Sequence, residues 1–219
     1  MNKPVRVILT GDISGARDIA DEASKRSAPG YMFQHVKGLL QGSDVAFGNF
    51  ECAVPCRTGK VVLVAPETFP QAVADAGFDI VSLANNHSFD AGEEGFHNTT
   101  RLLKRCGVDV IGGSGGHPVI KNIRGVKLGF QACVDPEWSP SYKHPTKFCA
   151  DFLKGLRQLR PKVDALFVSV HWGKEYDEAT PRQKKIAKLL LEAGADVVIG
   201  HHPHVPQEVM VTKKGQWVF

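Results

Sequence analysis

The chain has 219 residues, 42% of them hydrophobic and 23% charged, with 27 basic against 23 acidic side chains for a formal charge of +4. These are the values of an ordinary globular chain with room for one sizeable core, and they exclude a low-complexity or repeat architecture. The densest basic group (Lys184, Lys185 and Lys188) falls on the polar side of a predicted helix, so it reads as a solvated face and no nucleic-acid partner is expected.

Five scattered cysteines (Cys52, Cys56, Cys106, Cys133 and Cys149) suit reduced thiols rather than a disulfide framework, and no second pair completes a Cys-based metal site with Cys52 and Cys56. The apolar run Val5 to Leu9 is too short for a signal core or a membrane span, so a cytoplasmic protein without a membrane segment is expected.

Along the chain, strands and helices alternate. Val5 to Thr10 reads as a buried strand ending at Gly11-Asp12, Tyr31 to Leu40 as a helix, and Asp44 to Gly48 as a strand ending at Asn49-Phe50-Glu51. Phe69, Ala72, Val73 and Ala76 form a helical stripe closed by Gly77. Asp79 to Ala84 is the next strand, leading into Asn85-Asn86-His87, and Phe96 to Cys106 is a helix stopped by Gly107. After the strand Val108 to Ile111, Ile120 to Cys133 reads as a hairpin turning at Arg124-Gly125. Residues 135–146, with Pro136, Pro140 and Pro145, form an irregular rim or lid loop. A helix from Phe148 to Leu159 precedes the strand Ala165 to Val170, which ends at His171. Thr180 caps a helix begun by Pro181 and striped by Ile186, Leu189, Leu190 and Ala193. The strand Ala195 to Ile199 follows, and a hairpin turning at Lys213-Lys214-Gly215 closes the chain. Such an order implies one domain over 1–219, with helices packed on mixed sheets rather than a TIM barrel of roughly 250 residues.

The polar residues at the strand exits carry the chemistry. Asp12, Glu51, Asn86, His171 and His202 each stand just past the carboxyl end of a predicted strand, where open α/β sheets bind ligands. Gly200-His201-His202-Pro203-His204 adds three imidazoles within five residues, and on extended backbone His202 and His204 would point the same way. Carboxylate, amide and imidazole donors together suit one or two divalent transition metals (Mn, Fe or Zn) better than Ca or Mg. Glu51 could bridge two such ions, and His87 stands where it could pass a proton to a leaving group. Asp90 either orients His87 or caps the following helix, Trp172 packs beside the site, and Glu175 either hydrogen-bonds His171 or lines the cleft.

Taken in order, the motifs G-D, G-N-F-E, A-N-N-H-S-F-D-A-G, H-W-G-K-E-Y and G-H-H-P-H-V resemble those of the CapA-type poly-γ-glutamate capsule biosynthesis proteins, in the calcineurin-like metallophosphatase superfamily. That resemblance implies a four-layer α/β/β/α sandwich of mixed sheets with a two-metal site. It implies metal ligation by Asp12, Glu51, Asn86, His171, His202 and His204, with His202 and His204 serving different metals, and a proton-donor role for His87 with Asp90. Asn85 replaces a glycine of the superfamily motif and His201 becomes the extra histidine, both placed with Trp172 and Glu175 in the surroundings of the metals. Ser14 stands where a first-motif histidine is usual, which weakens one of the two sites, and the family's usual S-L-G-N-F strand does not follow, so the expectation is either a C-terminally truncated chain or a missing last strand, which would leave a bare sheet edge.

The expected function is a metal-dependent hydrolase acting on a phosphoester. The alternatives are an accessory factor that binds or cleaves poly-γ-glutamate or another envelope polymer alongside other capsule biosynthesis proteins, associated with the cell envelope, and a non-catalytic metal-binding module.

Overall fold

The structure, a computed structural model, describes residues 3–55, 63–113, 116–138 and 146–219. The chain divides into two compact units, Met1–Val110 and Ile111–Phe219. Each is built on its own sheet, which gives the expected mixed α/β class with two sheets and helices.

The first unit runs β1 (Val7–Ile13), α1 (Asp18–Lys25), a 3-10 turn (Tyr31–Phe33), α2 (Lys37–Gln41), β2 (Val45–Phe50), α3 (Phe69–Ala76), β3 (Ile80–Ser82), α4 (Gly92–Arg105) and β4 (Asp109–Ile111). Its sheet has the order β1-β2-β3-β4, with β1, β2 and β3 parallel. All six residues of β2 are buried, as a central parallel strand with both faces covered requires. The stripe of α3 (Phe69, Ala72, Val73 and Ala76) is buried, and Gly77 ends that helix at a φ of 106° that costs glycine little. Phe69 lies 5.5 Å from Phe50 and 6.2 Å from Phe33, ring centre to ring centre, joining helix and strand into one aromatic core.

Two local expectations fail here. The single helix expected over residues 31–40 is a 3-10 turn followed by the five-residue α2. Only Phe33 and Leu40 of that stretch are buried while Leu39 is exposed, so no continuous apolar stripe holds a longer helix down. Conversely α1 has no counterpart in the sequence reading. Only Ala23 of it is buried, while Asp18 and Asp21 in the first turn and Lys25 in the last complement the helix dipole.

The second unit runs β5 (Val119–Ile123), β6 (Val126–Val134), a 3-10 turn (Pro136–Trp138), α5 (Ala150–Leu159), a 3-10 turn (Arg160–Lys162), β7 (Ala165–His171), α6 (Pro181–Glu192), β8 (Val197–His201), β9 (Met210–Val211) and β10 (Trp217–Val218). Its sheet has the order β5-β6-β7-β8-β10-β9, parallel from β6 through β10, with β5 and β9 antiparallel at the edges. The β5–β6 hairpin turns at Arg124 (φ 52°) and Gly125 (φ 89°), the left-handed pair that matches strand twist. Helix α6 begins with a reciprocal capping box. The Thr180 hydroxyl accepts from the Gln183 N–H (3.2 Å), and the Gln183 side chain accepts from the Thr180 N–H (2.8 Å).

β8 is not an edge of its sheet. The turn at residues 213–215 folds β10 back along β8, where the Phe219 N–H donates to the Val198 carbonyl and the Gly200 N–H to the Phe219 carbonyl. The remaining edge on that side is β9, only two residues long. Of the expected loop 135–146, residues 139–145 lie outside the described residues, as do Cys56 and His144. Among the described residues no helix is long and apolar enough to cross a membrane.

Candidate functional site

In the first unit the expected site residues collect at the carboxyl edge of β1, β2 and β3. Asp12 is not past the end of β1, as the sequence suggested, but inside it, at a β-bulge. Leu9 pairs with Phe47 and Asp12 with Asn49, so Thr10 and Gly11 together face Gly48. A Cβ on Gly48 would lie 2.5 Å from both Ile13 and Thr10, so only glycine admits the bulge. The extra residue bends the strand and re-aims Asp12, whose Oδ1 accepts from Asn49 Nδ2 at 2.8 Å. Glu51 is buried, and its N–H continues the ladder to the Ile13 carbonyl at 2.8 Å.

Asn85 ties this edge to the turn after β3. Its Nδ2 donates to Asn49 Oδ1 (3.1 Å) and to the Phe50 carbonyl (2.9 Å), while its Oδ1 accepts from the His87 N–H (3.0 Å). The Ser88 hydroxyl is shared between Asn85 Oδ1 and the Leu83 carbonyl. Asp12, Asn49, Asn85 and the 86–88 turn thus form one hydrogen-bonded run, with Asn86 half-buried at its exit. His87 Nδ1 lies 2.8 Å from Asp90 Oδ2, and the same oxygen accepts from the Leu63 N–H at 2.9 Å. Of the two roles open to Asp90, the structure selects orientation of His87. An Nδ1–H donated to Asp90 leaves Nε2 as the atom able to hold or give a proton.

In the second unit His171 is the last residue of β7 and pairs with His201, the last of β8. Both are buried, and the His201 carbonyl accepts from the Trp172 N–H at 3.1 Å. Trp172 packs in the core of this unit, over Gly200, where a Cβ would meet the indole nitrogen at 2.6 Å. His202 and His204 are not on extended backbone. Their φ angles are 96° and 56°, so a left-handed turn around Pro203 aims the rings, not strand alternation. The result is still convergence. The His171 and His202 ring centres are 4.7 Å apart, and those of His202 and His204 5.9 Å apart. Glu175 is exposed, yet one of its carboxylate oxygens and one nitrogen each of His202 and His204 lie within 4.8 Å of one another.

Sequence reading missed two residues at these edges. Asn49 sat inside a quoted motif but had no role until its side chain was seen to link Asp12 with Asn85. Asp135 follows the end of β6 as the others follow their strands, so the same strand-exit signal could have found it. Its N–H donates to the His171 carbonyl (2.9 Å), and its buried carboxylate takes both Nε and Nη2 of Arg182 at 2.6 Å. The hydrogen bond to Asp135 raises the Arg182 pKa further, holding the guanidinium charged.

The family described as bacterial capsule synthesis protein PGA_cap matches residues 6–219. The capsule biosynthesis protein CapA of Bacillus anthracis is 34% identical over 238 residues, covering 98% of this chain and 58% of that protein. The chain therefore spans a little over half the length of that relative. Among solved structures, a hypothetical protein from Thermus thermophilus aligns with a TM-score of 0.66 at 21% identity, covering 98% of this chain and 74% of that one. The Staphylococcus aureus protein titled "Putative 5'-Nucleotidase", in complex with alpha-ketoglutarate, aligns with a TM-score of 0.56 at 15% identity, covering 98% of this chain and 48% of that one. At these identities the two structures speak to the fold, which is metallophosphatase-like.

Proposed function

The chain belongs to the bacterial capsule synthesis protein family PGA_cap, and from that premise we propose that it is a metal-dependent hydrolase of phosphoesters. The observation that carries this reading is the convergence of His171, His202 and His204 at the carboxyl ends of parallel strands, by way of a left-handed turn. Imidazoles gathered at strand ends, with His171 and His202 buried, suit a borderline divalent ion. The donors proposed in the second unit are His171, His202 and His204, for an ion of Mn, Fe or Zn; Asp12, Glu51 and Asn86 are proposed as donors at the strand ends of the first. Held there, such an ion supplies a Lewis acid and an acidified water.

The chain's own residues do the rest. Asn49 and Asn85 hold Asp12 and the 86–88 turn in fixed relation, so a donor and the proton-carrying His87 are positioned together. Asp90 orients the His87 ring, so that Nε2 can hand a proton to the leaving oxygen. Asp135, clamped by Arg182, hydrogen-bonds the backbone of His171 and steadies that strand end.

The family's description supports a second reading, an accessory factor that binds or cleaves a γ-glutamyl polymer alongside other biosynthesis proteins. One activity panel separates the two. Protein reconstituted with Mn, Fe or Zn is assayed on phosphomonoesters, phosphodiesters and γ-linked glutamyl peptides, with bound metal counted by elemental analysis. Phosphoester turnover that His87→Ala abolishes while metal is retained is the expected result. Turnover of γ-glutamyl peptides alone moves the assignment to the second reading, and metal near zero after reconstitution refutes the first. His202→Ala is expected to strip tightly held metal and His201→Ala to spare most of it.

A further inference from the structure

We infer that Glu175 is a direct metal ligand, joining His202 and His204 on a single ion in a two-histidine, one-carboxylate site built wholly within residues 111–219. This rests on the metal-dependent reading above and extends it. It adds a donor that the strand-exit pattern does not supply, and it lets His202 and His204 share one ion rather than divide between two.

Three observations support it. The first is the spread of the donor atoms, all within 4.8 Å of one another. Ligands at about 2.0–2.2 Å from an ion lie at most about twice that distance apart. Closing the set therefore needs only a small movement, and Glu175, exposed at the end of a rotatable side chain, can make it.

The second is how the chain is bent to bring the donors together. The loop after β7 turns at Gly173 (φ 81°), where a Cβ would lie 2.7 Å from the Gln183 side chain, and again at Tyr176 (φ 58°). With His202 and His204, three non-glycine residues in and around the donor set are in the left-handed region. Such conformations are sparsely populated and cluster at ligand clamps.

The third is that the two strained segments are tied to each other. The Tyr176 N–H donates to the Pro203 carbonyl at 2.7 Å, the Trp172 N–H donates to the His201 carbonyl at 3.1 Å, and the Tyr176 ring lies 6.0 Å from that of His204. Glu175 sits between these tethers, so its Cα is set against the histidine turn by main-chain bonds. The donor chemistry, two imidazoles and one carboxylate with coordination positions left open, fits Zn, Mn or Fe(II).

The test titrates the metal-depleted full chain with Co2+, recording bound equivalents and the visible spectrum, for the wild type, Glu175→Gln, Glu175→Asp and His202→Ala. Gln keeps a hydrogen-bond acceptor but loses the charge, whereas Asp keeps the charge, so the pair separates a ligand from an outer hydrogen-bond partner. The expected result is an affinity loss in Glu175→Gln beyond the ~10–100-fold typical of losing an outer partner. A changed visible spectrum should accompany it, and Glu175→Asp should recover most of both. Wild-type affinity and spectrum in Glu175→Gln, with binding lost in His202→Ala, overturns the inference and leaves the metal reading standing. Equal losses in Gln and Asp with an unaltered spectrum also overturn it, as does a wild type that binds no Co2+, which removes the metal reading as well.

Discussion

Replacing Asn85 tests whether the polar run of the first unit is held by specific donors or merely by shape. Asn85 is fully buried and makes hydrogen bonds to Asn49 Oδ1, the Phe50 carbonyl, the His87 N–H and the Ser88 hydroxyl. Ser88 keeps the Leu83 carbonyl as a partner, so Asn85→Ala forfeits three bonds outright. At a net ~0.5–1.5 kcal/mol for each, the loss is about 2–4 kcal/mol, at the upper end because the abandoned groups stay buried. Asn85→Asp is nearly isosteric but turns the two donated bonds into contacts between acceptors, so it should cost at least as much at neutral pH. Urea unfolding followed by far-UV circular dichroism reads both as a lower midpoint at unchanged slope. An Asp variant as stable as the wild type, or an Ala variant within about 0.5 kcal/mol of it, would refute the claim that donors hold this run.

Three further outcomes are expected. Thr180→Ala removes one arm of the capping box of α6 and should cost ~1 kcal/mol, visible as a lower denaturation midpoint; an unmoved midpoint means the box contributes nothing. Burial pushes the Cys52 thiol up to about 12 and the Cys133 thiol well above its ordinary value. Above the ordinary thiol range of ~8.5 the unfolded chain therefore gives up protons that the folded chain keeps, so stability should be full below that range and fall as pH rises. In native protein near pH 8, iodoacetamide should label exposed Cys149 and spare Cys52 and Cys133, and native labelling of all three at equal rates would contradict the burial assigned to them.

Strand exits were legible because apolar runs followed by a carboxylate, amide or imidazole are visible in one dimension. Glu51, Asn86, His171 and His202 are singled out that way, as is Asp12, although Asp12 lies inside β1 and not at its exit; the α3 stripe and the α6 cap are read from periodicity and capping chemistry. What escaped was whatever depends on a neighbour distant in sequence. The bulge at Thr10-Gly11 exists only against Gly48, and the link from Asp12 to Asn85 runs through Asn49, 37 residues from one and 36 from the other. The aim of His202 and His204 was inferred from strand alternation, and that reason was wrong. The backbone leaves the strand at His201 and turns left-handed, which no periodicity in G-H-H-P-H discloses. Helix α1 was invisible for the opposite cause, having one buried side chain to announce it.

The left-handed turn sets stability against capability. Asparagine and glycine occupy such φ values more cheaply than histidine, so random variation at positions 202 and 204 has a route to a sturdier chain that discards the donor. A screen for thermal tolerance alone would thus be drawn towards these two positions and, on the metal-dependent reading proposed above, would return proteins that fold better and hold metal worse. Selection for ligand retention has to oppose that drift at each histidine separately, because each carries its own backbone strain.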